Sequence, residues 1–215
     1  MVLPPVALDA RFSFDPVKHL YRIDRKIVSG VTGVMAENNL IDLRWFTEEA
    51  RLRGTRVHIA THYLDEGDLD WSTILDRDKG YIKSWELYKI RANVEVISVE
   101  AQVYDPFYNH AGTYDRILRI NGKRALWMID LKTVGDGKGM PPFWAKYQTA
   151  AYEGMYRVMH GGDMMRRGAI VLQADGSLPK LYEHYDSTDY PDFLAMSQST
   201  KIRRTHKREY TIPTE

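Results

Sequence analysis

The sequence of 215 residues contains no cysteine. This absence excludes disulfides, thiolate zinc sites, iron–sulfur clusters and cysteine nucleophiles together. An excess of charge is also lacking, because 30 Lys and Arg residues nearly balance 29 Asp and Glu residues, for a net charge of +1. Overall charge therefore does not predict binding to an anionic polymer, and any such partner must be held by a local patch.

Long apolar runs are absent as well, and the opening residues lack the basic stretch and apolar core of a secretion signal. We therefore expect a cytoplasmic protein with no membrane partner. Hydrophobic residues make up 44% of the chain and charged residues 27%, which is ordinary for a globular protein. The length predicts a single domain over 1–215 with its own core.

Helical and β-type patterns alternate along the chain, which predicts an α/β fold. Short apolar runs around Asp15-Pro16 predict a small hairpin, and Thr47 has the character of a helix N-cap. The expected helices cover 29–38, 47–64, 74–92, 141–160 and 191–196. The expected strands cover 94–104, 111–120, 125–134, 169–173 and 181–185, and an acidic turn is expected over 65–70.

The stretch 111–134 reads as two strands joined at Asn121-Gly122, a pair that readily adopts the positive φ angles of a type I′ turn. A turn centred there sets Asp115 opposite Met128. It also sets Arg119 opposite Arg124, a mild like-charge penalty that only an exposed hairpin end tolerates.

Acidic side chains share one face of this predicted hairpin. Alternation along the strand puts Met128, Asp130 and Lys132 on one side, and Asp115 points to the same side. Asp115 and Asp130 are then diagonal neighbours, roughly 7–8 Å apart at the backbone. Carboxylates among apolar residues repel each other and lose hydration unless a cation lies between them. The pattern predicts a metal site, with a structural ion pair as the alternative.

Asp130-Leu131-Lys132, at the end of an apolar strand and preceded by Asp115, resembles the PD-(D/E)xK nuclease superfamily. Four segments carry the resemblance across 54–152, about half of the chain, in the family's order. Gly54 to His58 resembles the G-x-x-V-H segment of RecB-type members, Gly112 to Asp115 resembles G-x-x-D, Ile129 to Thr133 resembles the D-x-K-T strand, and Gln148 with Tyr152 matches Q-x-x-x-Y. The opening segment FSFDPVKHLYRID and the residues around Val31-Thr32 also resemble phage-encoded and mitochondrial exonucleases. The chain departs from the family in having Tyr114 where a proline nominally precedes the acid.

The resemblance implies a restriction-endonuclease-like core, a mixed central β-sheet flanked by α-helices, which residues 1–46 and 163–215 decorate. It implies Mg²⁺ as the cofactor, with Mn²⁺ able to substitute, because Mg²⁺ prefers oxygen ligands. The expected ligands are Asp115, Asp130 and the backbone carbonyl of Leu131, with Glu100 and His58 as further candidates.

The remaining site residues have implied catalytic or supporting roles. Lys132 would orient or activate the attacking water and stabilise negative charge. Gln148 and Tyr152, one helical turn apart, would brace the site or touch the DNA backbone. Roles without a part in catalysis stay open for four of these residues: Glu100 as an exposed strand residue, His58 as a packing residue, and Gln148 with Tyr152 as a half-buried side of a helix.

The expected activity is metal-dependent DNA exonuclease action in recombination, repair or phage DNA processing, in a bacterial or phage-infected cell. DNA is the expected partner, and a recombination or single-strand-binding protein is a further candidate. A structure-specific endonuclease on the same fold and a non-catalytic DNA-binding subunit are the alternatives. Candidate phosphate contacts are Arg51, Arg53, Arg56, Lys138, Lys146 and the basic tail around 203–208.

Overall fold

A computed structural model of the chain describes residues 10–41, 47–133 and 139–209, with side chains described as far as residue 206. The strands are β1 Phe12–Asp15, β2 Leu20–Ile23, β3 Lys26–Gly30, β4 Val94–Asp105, β5 His110–Ile120, β6 Leu126–Thr133, β7 Arg166–Leu172 and β8 Lys180–His184. The helices are α1 Val31–Glu37, α2 Glu48–Glu66, α3 Asp76–Arg91, α4 Ala145–His160 and α5 Asp189–Glu209.

The strands form one mixed sheet in the order β1-β2-β3-β5-β6-β7-β8, and β4 also pairs with β5. The β3–β5 and β6–β7 pairs are parallel, and the other pairs are antiparallel. Helices lie on both faces of this sheet. This is the usual arrangement for sheets that contain parallel strands, which are covered on both sides. The predicted α/β class, a mixed central sheet flanked by helices, is confirmed.

Two apolar clusters define the two faces of the sheet. On one face, α1, α4 and α5 pack against Ile117 and Met128. On the other face, α2 and α3 pack against Leu118 and Ile129, with Trp85 fully buried among them. Neighbouring residues of β5 and β6 alternate between these clusters, as the pleat requires.

Local sequence patterns predicted the positions of most helices and strands correctly. The first hairpin turns after Asp15, and Thr47 caps α2 by accepting a hydrogen bond from the Ala50 N–H at 3.1 Å. The acidic turn predicted over 65–70 begins two residues too early, because α2 continues through Glu66. The predicted last helix is too short, since α5 spans 21 residues. Its second half has little apolar periodicity and is tied to α1, where Arg204 pairs with Glu37.

The register of the central hairpin differs from the predicted one by two residues. Asn121 and Gly122 have positive φ angles of 53° and 64°, as the turn motif predicts, but the loop is wider than two residues. Arg116 pairs with Ile129 and Arg119 with Leu126, so the prediction that Asp115 faces Met128 is wrong. The predicted Arg119–Arg124 opposition is also wrong.

Contacts outside the hairpin explain this register. The Asn121 N–H donates to the Ala92 carbonyl at 2.9 Å, which anchors the loop to the end of α3. Arg119 forms an ion pair with Glu95 on β4, so no like charge faces it. Because the shift is an even number of residues, each side chain stays on its predicted face.

Two helical glycines offer a matched test of the packing between α3 and the β7–β8 connection. A Cβ at Gly80 would lie 1.7 Å from the backbone oxygen of Ala174, whereas a Cβ at Gly54 meets nothing closer than the Thr133 Oγ1 at 3.9 Å. We expect Gly80→Ala to destabilise the fold by about 1–3 kcal/mol, because backbone must shift. Gly54→Ala should stabilise it by about 1 kcal/mol through helix propensity and raise the Tm by about 2–4 °C. Thermal and denaturant unfolding measure both changes, and a stabilised Gly80→Ala protein would contradict this packing.

Candidate metal centre and active site

Three side chains from three elements converge at one point. His58 of α2, Glu100 of β4 and Asp115 of β5 each offer a ligand atom, and these atoms all lie within 4.8 Å of one another. The His58 Nδ1 lies 3.4 Å from the Glu100 Oε1 and 3.6 Å from the Asp115 Oδ1. Two carboxylates and an imidazole are a suitable donor set for a divalent cation.

The backbone of β4 brings Glu100 to this point. Val99 pairs with Arg116 in the β4–β5 ladder, and the next step places Glu100 beside Asp115. Glu100 has a φ of 45°, in the left-handed region that a non-glycine residue rarely adopts. Such strain persists only where surrounding structure imposes it, and here it aims a half-buried carboxylate at the cluster.

Asp115 joins β5 to β6 just beyond the last paired residues of these strands. Its Oδ2 accepts a hydrogen bond from the Leu131 N–H at 2.7 Å. The Leu131 carbonyl, expected as a metal ligand, lies 3.0 Å from the His58 Nε2 and is hydrogen-bonded to it. A cation that used this carbonyl would therefore compete with His58.

A second group forms a chain of polar contacts from β6 to α4. The Lys132 ammonium donates to the Asp130 Oδ1 at 2.9 Å and to the Gln148 Oε1 at 3.1 Å, and it lies 4.7 Å from the centre of the Trp144 ring. The Gln148 amide donates in turn to the Tyr152 hydroxyl at 3.1 Å. Gln148 therefore holds the lysine on one side while Asp130 holds it on the other.

Asp130 was expected to share a metal with Asp115, yet it does not belong to the group of three ligand atoms found among the described residues. Its Oδ2 lies 2.7 Å from the Lys132 Nζ, in an ion-pair contact without hydrogen-bond geometry. That buried oxygen accepts no hydrogen bond from the part of the chain that the structure describes. The Lys132 ammonium therefore lies against both oxygens of the Asp130 carboxylate.

A buried guanidinium that the sequence patterns did not predict lies beneath the cluster. Arg116 is fully buried and donates to the Asp65 Oδ2 at 2.7 Å, the Glu100 Oε1 at 3.3 Å and the Thr61 Oγ1 at 3.1 Å. It also donates to the Asp115 carbonyl at 2.8 Å. One side chain thus connects α2, β4 and β5 directly behind the candidate ligands.

Asp65 is held by further donors from α3. Its Oδ1 accepts from the Trp85 indole at 2.9 Å and from the Lys89 ammonium at 2.7 Å. The available signal was Arg116 itself, a charged residue within an apolar strand that must have a partner when buried. Its partner could not be identified by local pattern, since Asp65 is 51 residues away in sequence.

Electrostatics in the cluster follow from burial and mutual charge. Burial alone lowers the pKa of His58, but the carboxylates of Asp115 and Glu100 outweigh this effect and raise the pKa of His58 to about 9. Burial raises the pKa of Asp115 to about 6, with the charge of His58 opposing this shift. Burial also acts to raise the pKa of Glu100, but hydrogen bonds from His58 and Arg116 leave that pKa below its usual value.

A cleft of about 960 Å³ opens above the cluster. Its walls come from α2, the β1–β2 hairpin, the start of α1 and the adjoining parts of β4 and β5. His58, Glu100, Asp115 and Tyr152 line it, whereas Asp130, Lys132 and Gln148 do not. The three-residue cluster therefore faces this cleft, and the Asp130–Lys132 pair is not part of the lining.

Most of the expected phosphate-binding cations are engaged within the chain. Arg51 lines the cleft but pairs with Glu48 at 2.5 Å. Lys138 lies outside the described residues. The other intramolecular contacts are Arg53 with the Thr133 carbonyl, Arg56 with Asp78 and Glu49, Lys146 with Asp189, Arg203 with Asn38, and Arg204 with Glu37.

Comparisons with known proteins give slight likenesses. No protein-family model matches the chain, and no curated protein matches it. A solved structure from Eubacterium rectale, provisionally described as an exonuclease, is 14% identical with a TM-score of 0.47, covering 80% of this chain and 71% of that one. The alkaline exonuclease of Laribacter hongkongensis is 12% identical with a TM-score of 0.35, covering 86% and 95% respectively. With both TM-scores below 0.5, neither likeness carries an argument about this chain's activity. Separately, no helix among the described residues has the length and apolarity needed to cross a bilayer.

The pKa values predict how stability depends on pH when metal is removed. Because the folded-state pKa of His58 is raised, its contribution to stability is complete below about pH 6.5 and is lost as pH rises through about 9. Asp115 acts in the same direction at lower pH, up to about 6. In chelator we expect the Tm to fall between pH 6.5 and 9 more steeply for the unmodified protein than for His58→Gln. Added Mn²⁺ should raise the Tm more at pH 9 than at pH 6.5, because a smaller fraction of His58 is protonated at pH 9 and fewer protons compete with the metal for the imidazole.

Thermal unfolding across this pH range measures the effect. His62→Gln is the matched control, because His62 lies one turn further along α2 and pairs with Glu66 outside the cluster. That variant should keep the steep slope. Equal slopes for all three proteins would contradict a raised pKa at His58.

Proposed function

We propose that this chain is a metal-dependent deoxyribonuclease of the PD-(D/E)xK type, acting as an exonuclease that hydrolyses phosphodiester bonds. The observation that carries the proposal is the convergence of His58, Glu100 and Asp115 at the base of a large cleft. The motifs of the sequence support it, since Asp115, Asp130 and Lys132 stand at the family's positions.

The donor set fits a divalent cation such as Mg²⁺ or Mn²⁺. Glu100 and Asp115 supply carboxylate oxygens close together, His58 supplies a nitrogen, and the Asp130 carboxylate lies next along the sheet in an ion pair with Lys132. Carboxylates at such separations repel each other without a cation between them. A divalent cation bound there would supply positive charge beside the scissile phosphate and would acidify water at neutral pH.

Lys132 is the proposed catalytic cation of the protein itself. Its ammonium is fixed between Asp130 and Gln148, so little reorientation is needed when negative charge develops on the phosphate. In this role it orients the attacking water and stabilises the phosphate oxygens. Gln148 is a positioning residue, because it acts by holding the amine.

Tyr152 and Arg116 have supporting roles in the same proposal. Burial raises the pKa of Tyr152 well above 10, so its phenol keeps its proton and donates to a phosphate oxygen in the cleft. Arg116 positions Glu100 from below and does not line the cleft itself.

The finer biological setting is part of this proposal. We place the enzyme in bacterial or phage-infected cytoplasm, acting on DNA in recombination, repair or phage genome processing, with the whole chain forming one nuclease domain. A single-strand-binding or recombination protein is the proposed protein partner.

Purified protein with labelled linear DNA and Mg²⁺ or Mn²⁺ tests the activity. We expect degradation that chelator abolishes and that Asp130→Asn and Lys132→Ala each reduce by at least about 100-fold, because preorganised charge is lost. Lys123→Ala, which removes an exposed lysine at the central hairpin loop, should retain full activity. Covalently closed circles should stay intact, whereas nicked circles would favour an endonuclease. DNA binding without metal-dependent turnover would overturn the proposed enzyme.

Gly54 gives a test of substrate passage that separates activity from folding. It lines the cleft from α2, and the space beside it is open within the protein. In the proposed function, a methyl group added at this lining position narrows the path of the substrate. We therefore expect Gly54→Ala to degrade DNA at least several-fold more slowly although its fold is more stable. Unchanged initial rates at limiting DNA concentration would place the substrate path elsewhere.

A further inference from the structure

Aromatic rings of the β1–β2 hairpin form the wall of the cleft that faces α2. Phe14, His19 and Tyr21 all line the cleft. Phe14 stacks on Tyr21 with ring centres 4.8 Å apart, and the His19 ring meets Phe14 edge-on at 5.3 Å. Phe14 is half-buried and His19 is exposed, so ring surface is presented to solvent in the cleft.

The turn that carries this wall is fixed by its own hydrogen bonds. The Asp15 Oδ1 accepts from the N–H groups of Val17 and Lys18 at 3.1 and 3.0 Å. His19 follows with a φ of 49°, a left-handed conformation that few non-glycine residues adopt, although histidine adopts it more often than most. Its Nε2 lies 3.1 Å from the Tyr21 hydroxyl, in hydrogen-bond contact. A strained residue whose ring is held against two other rings is a preorganised surface and not a loose loop.

This surface is continuous with the candidate metal centre. The Tyr21 hydroxyl is hydrogen-bonded to the Thr113 Oγ1 at 3.0 Å. Thr113 and Asp115 lie on one face of β5, two residues and therefore about 6.8 Å apart. A planar group of the substrate that stacks on the hairpin would therefore lie close to the scissile bond held at the cluster.

The charge of the cleft bears on which substrate can bind. Arg51 is the one arginine or lysine among the described residues that line it, and Glu48 already pairs with it. A protein that holds duplex DNA through its backbone makes roughly 6–10 cationic phosphate contacts. The described walls provide far fewer cations and offer ring faces instead, as in sites for unpaired nucleotides.

From these observations we infer that the β1–β2 hairpin is a stacking platform for an unpaired base, and that the substrate enters the cleft as a single-stranded DNA end. Phe14 and His19 provide the stacking surface, and Tyr21 connects it to β5. The inference rests on the proposed function for the identity of the substrate, but stacking can be measured without hydrolysis.

The test uses the full chain in chelator with short oligothymidylates carrying 2-aminopurine at the 5′ or the 3′ end. Stacking quenches the fluorescence of this base, and anisotropy gives the Kd. We expect quenching by the unmodified protein, and about tenfold weaker binding with loss of quenching in Phe14→Leu and in His19→Asn. Leucine keeps the apolar contact with Tyr21, and asparagine tolerates the left-handed backbone at position 19, so both variants should fold.

Phe107→Leu is the matched control, because Phe107 is 79% exposed and does not line the cleft. It should bind and quench like the unmodified protein. Equal binding and quenching in all variants, or equally tight binding of a blunt duplex that is insensitive to Phe14, would overturn the platform.

Nuclease rates separate this inference from the proposed function. If no DNA is degraded but oligonucleotide binding still depends on Phe14 and His19, the platform stands and the proposed hydrolysis fails. If both variants degrade single-stranded DNA at the unmodified rate, the platform fails and the hydrolysis stands.

Discussion

The candidate site depends on one buried cation, the guanidinium of Arg116. Burying a carboxylate is costly unless a positive charge and hydrogen bonds accompany it, and Asp65 and Glu100 both receive these from Arg116. The same group donates to the Asp115 carbonyl, so it fixes the backbone of β5 as well as the side chain of β4. Removing one partner of such a network leaves an uncompensated charge and costs about 3–5 kcal/mol. The ionic contacts of Arg116 therefore support the strained left-handed backbone of Glu100. The candidate ligands lie directly above this buried network of paired charges.

Alternation along the strands was sufficient to predict which side chains share a face, and it was not sufficient to predict their distance. Asp115 and Asp130 lie on one face in either register, because the pleat repeats every two residues and the shift between predicted and observed registers is even. Their true spacing depends on how the loop beyond Ile120 is held, and that is decided by the carbonyl of Ala92 at the end of α3. The position of His58 could be proposed only from resemblance, because no local pattern carries α2 to the Leu131 carbonyl.

Backbone conformation is a second property that residue patterns do not reveal. Eight non-glycine residues of the described chain have positive φ angles, and four of them are asparagines, which tolerate this region. Two of the others, His19 and Glu100, line the cleft. An alternating strand pattern predicts extended backbone throughout β4, whereas tertiary contacts twist Glu100 out of it. Observed strain of this kind indicates positions that surrounding structure imposes, and here both positions lie where the proposed substrate would be held.

Charge in the cleft determines how the proposed metal and DNA ligands would affect each other's binding. Glu100 and Asp115 face the cleft as acids, and Arg51 is already paired, so the potential at the cluster opposes a phosphate. The raised pKa of His58 means that a proton partly balances these acids in the free protein near neutral pH. On the side that faces the cleft, this one imidazolium stands against two carboxylates, because the Arg116 guanidinium that pairs with Glu100 does not line the cleft. In the proposed enzyme a divalent cation would reverse the sign where the phosphate would lie and would strengthen DNA binding at the cluster, whereas the aromatic wall would supply affinity that depends neither on charge nor on metal.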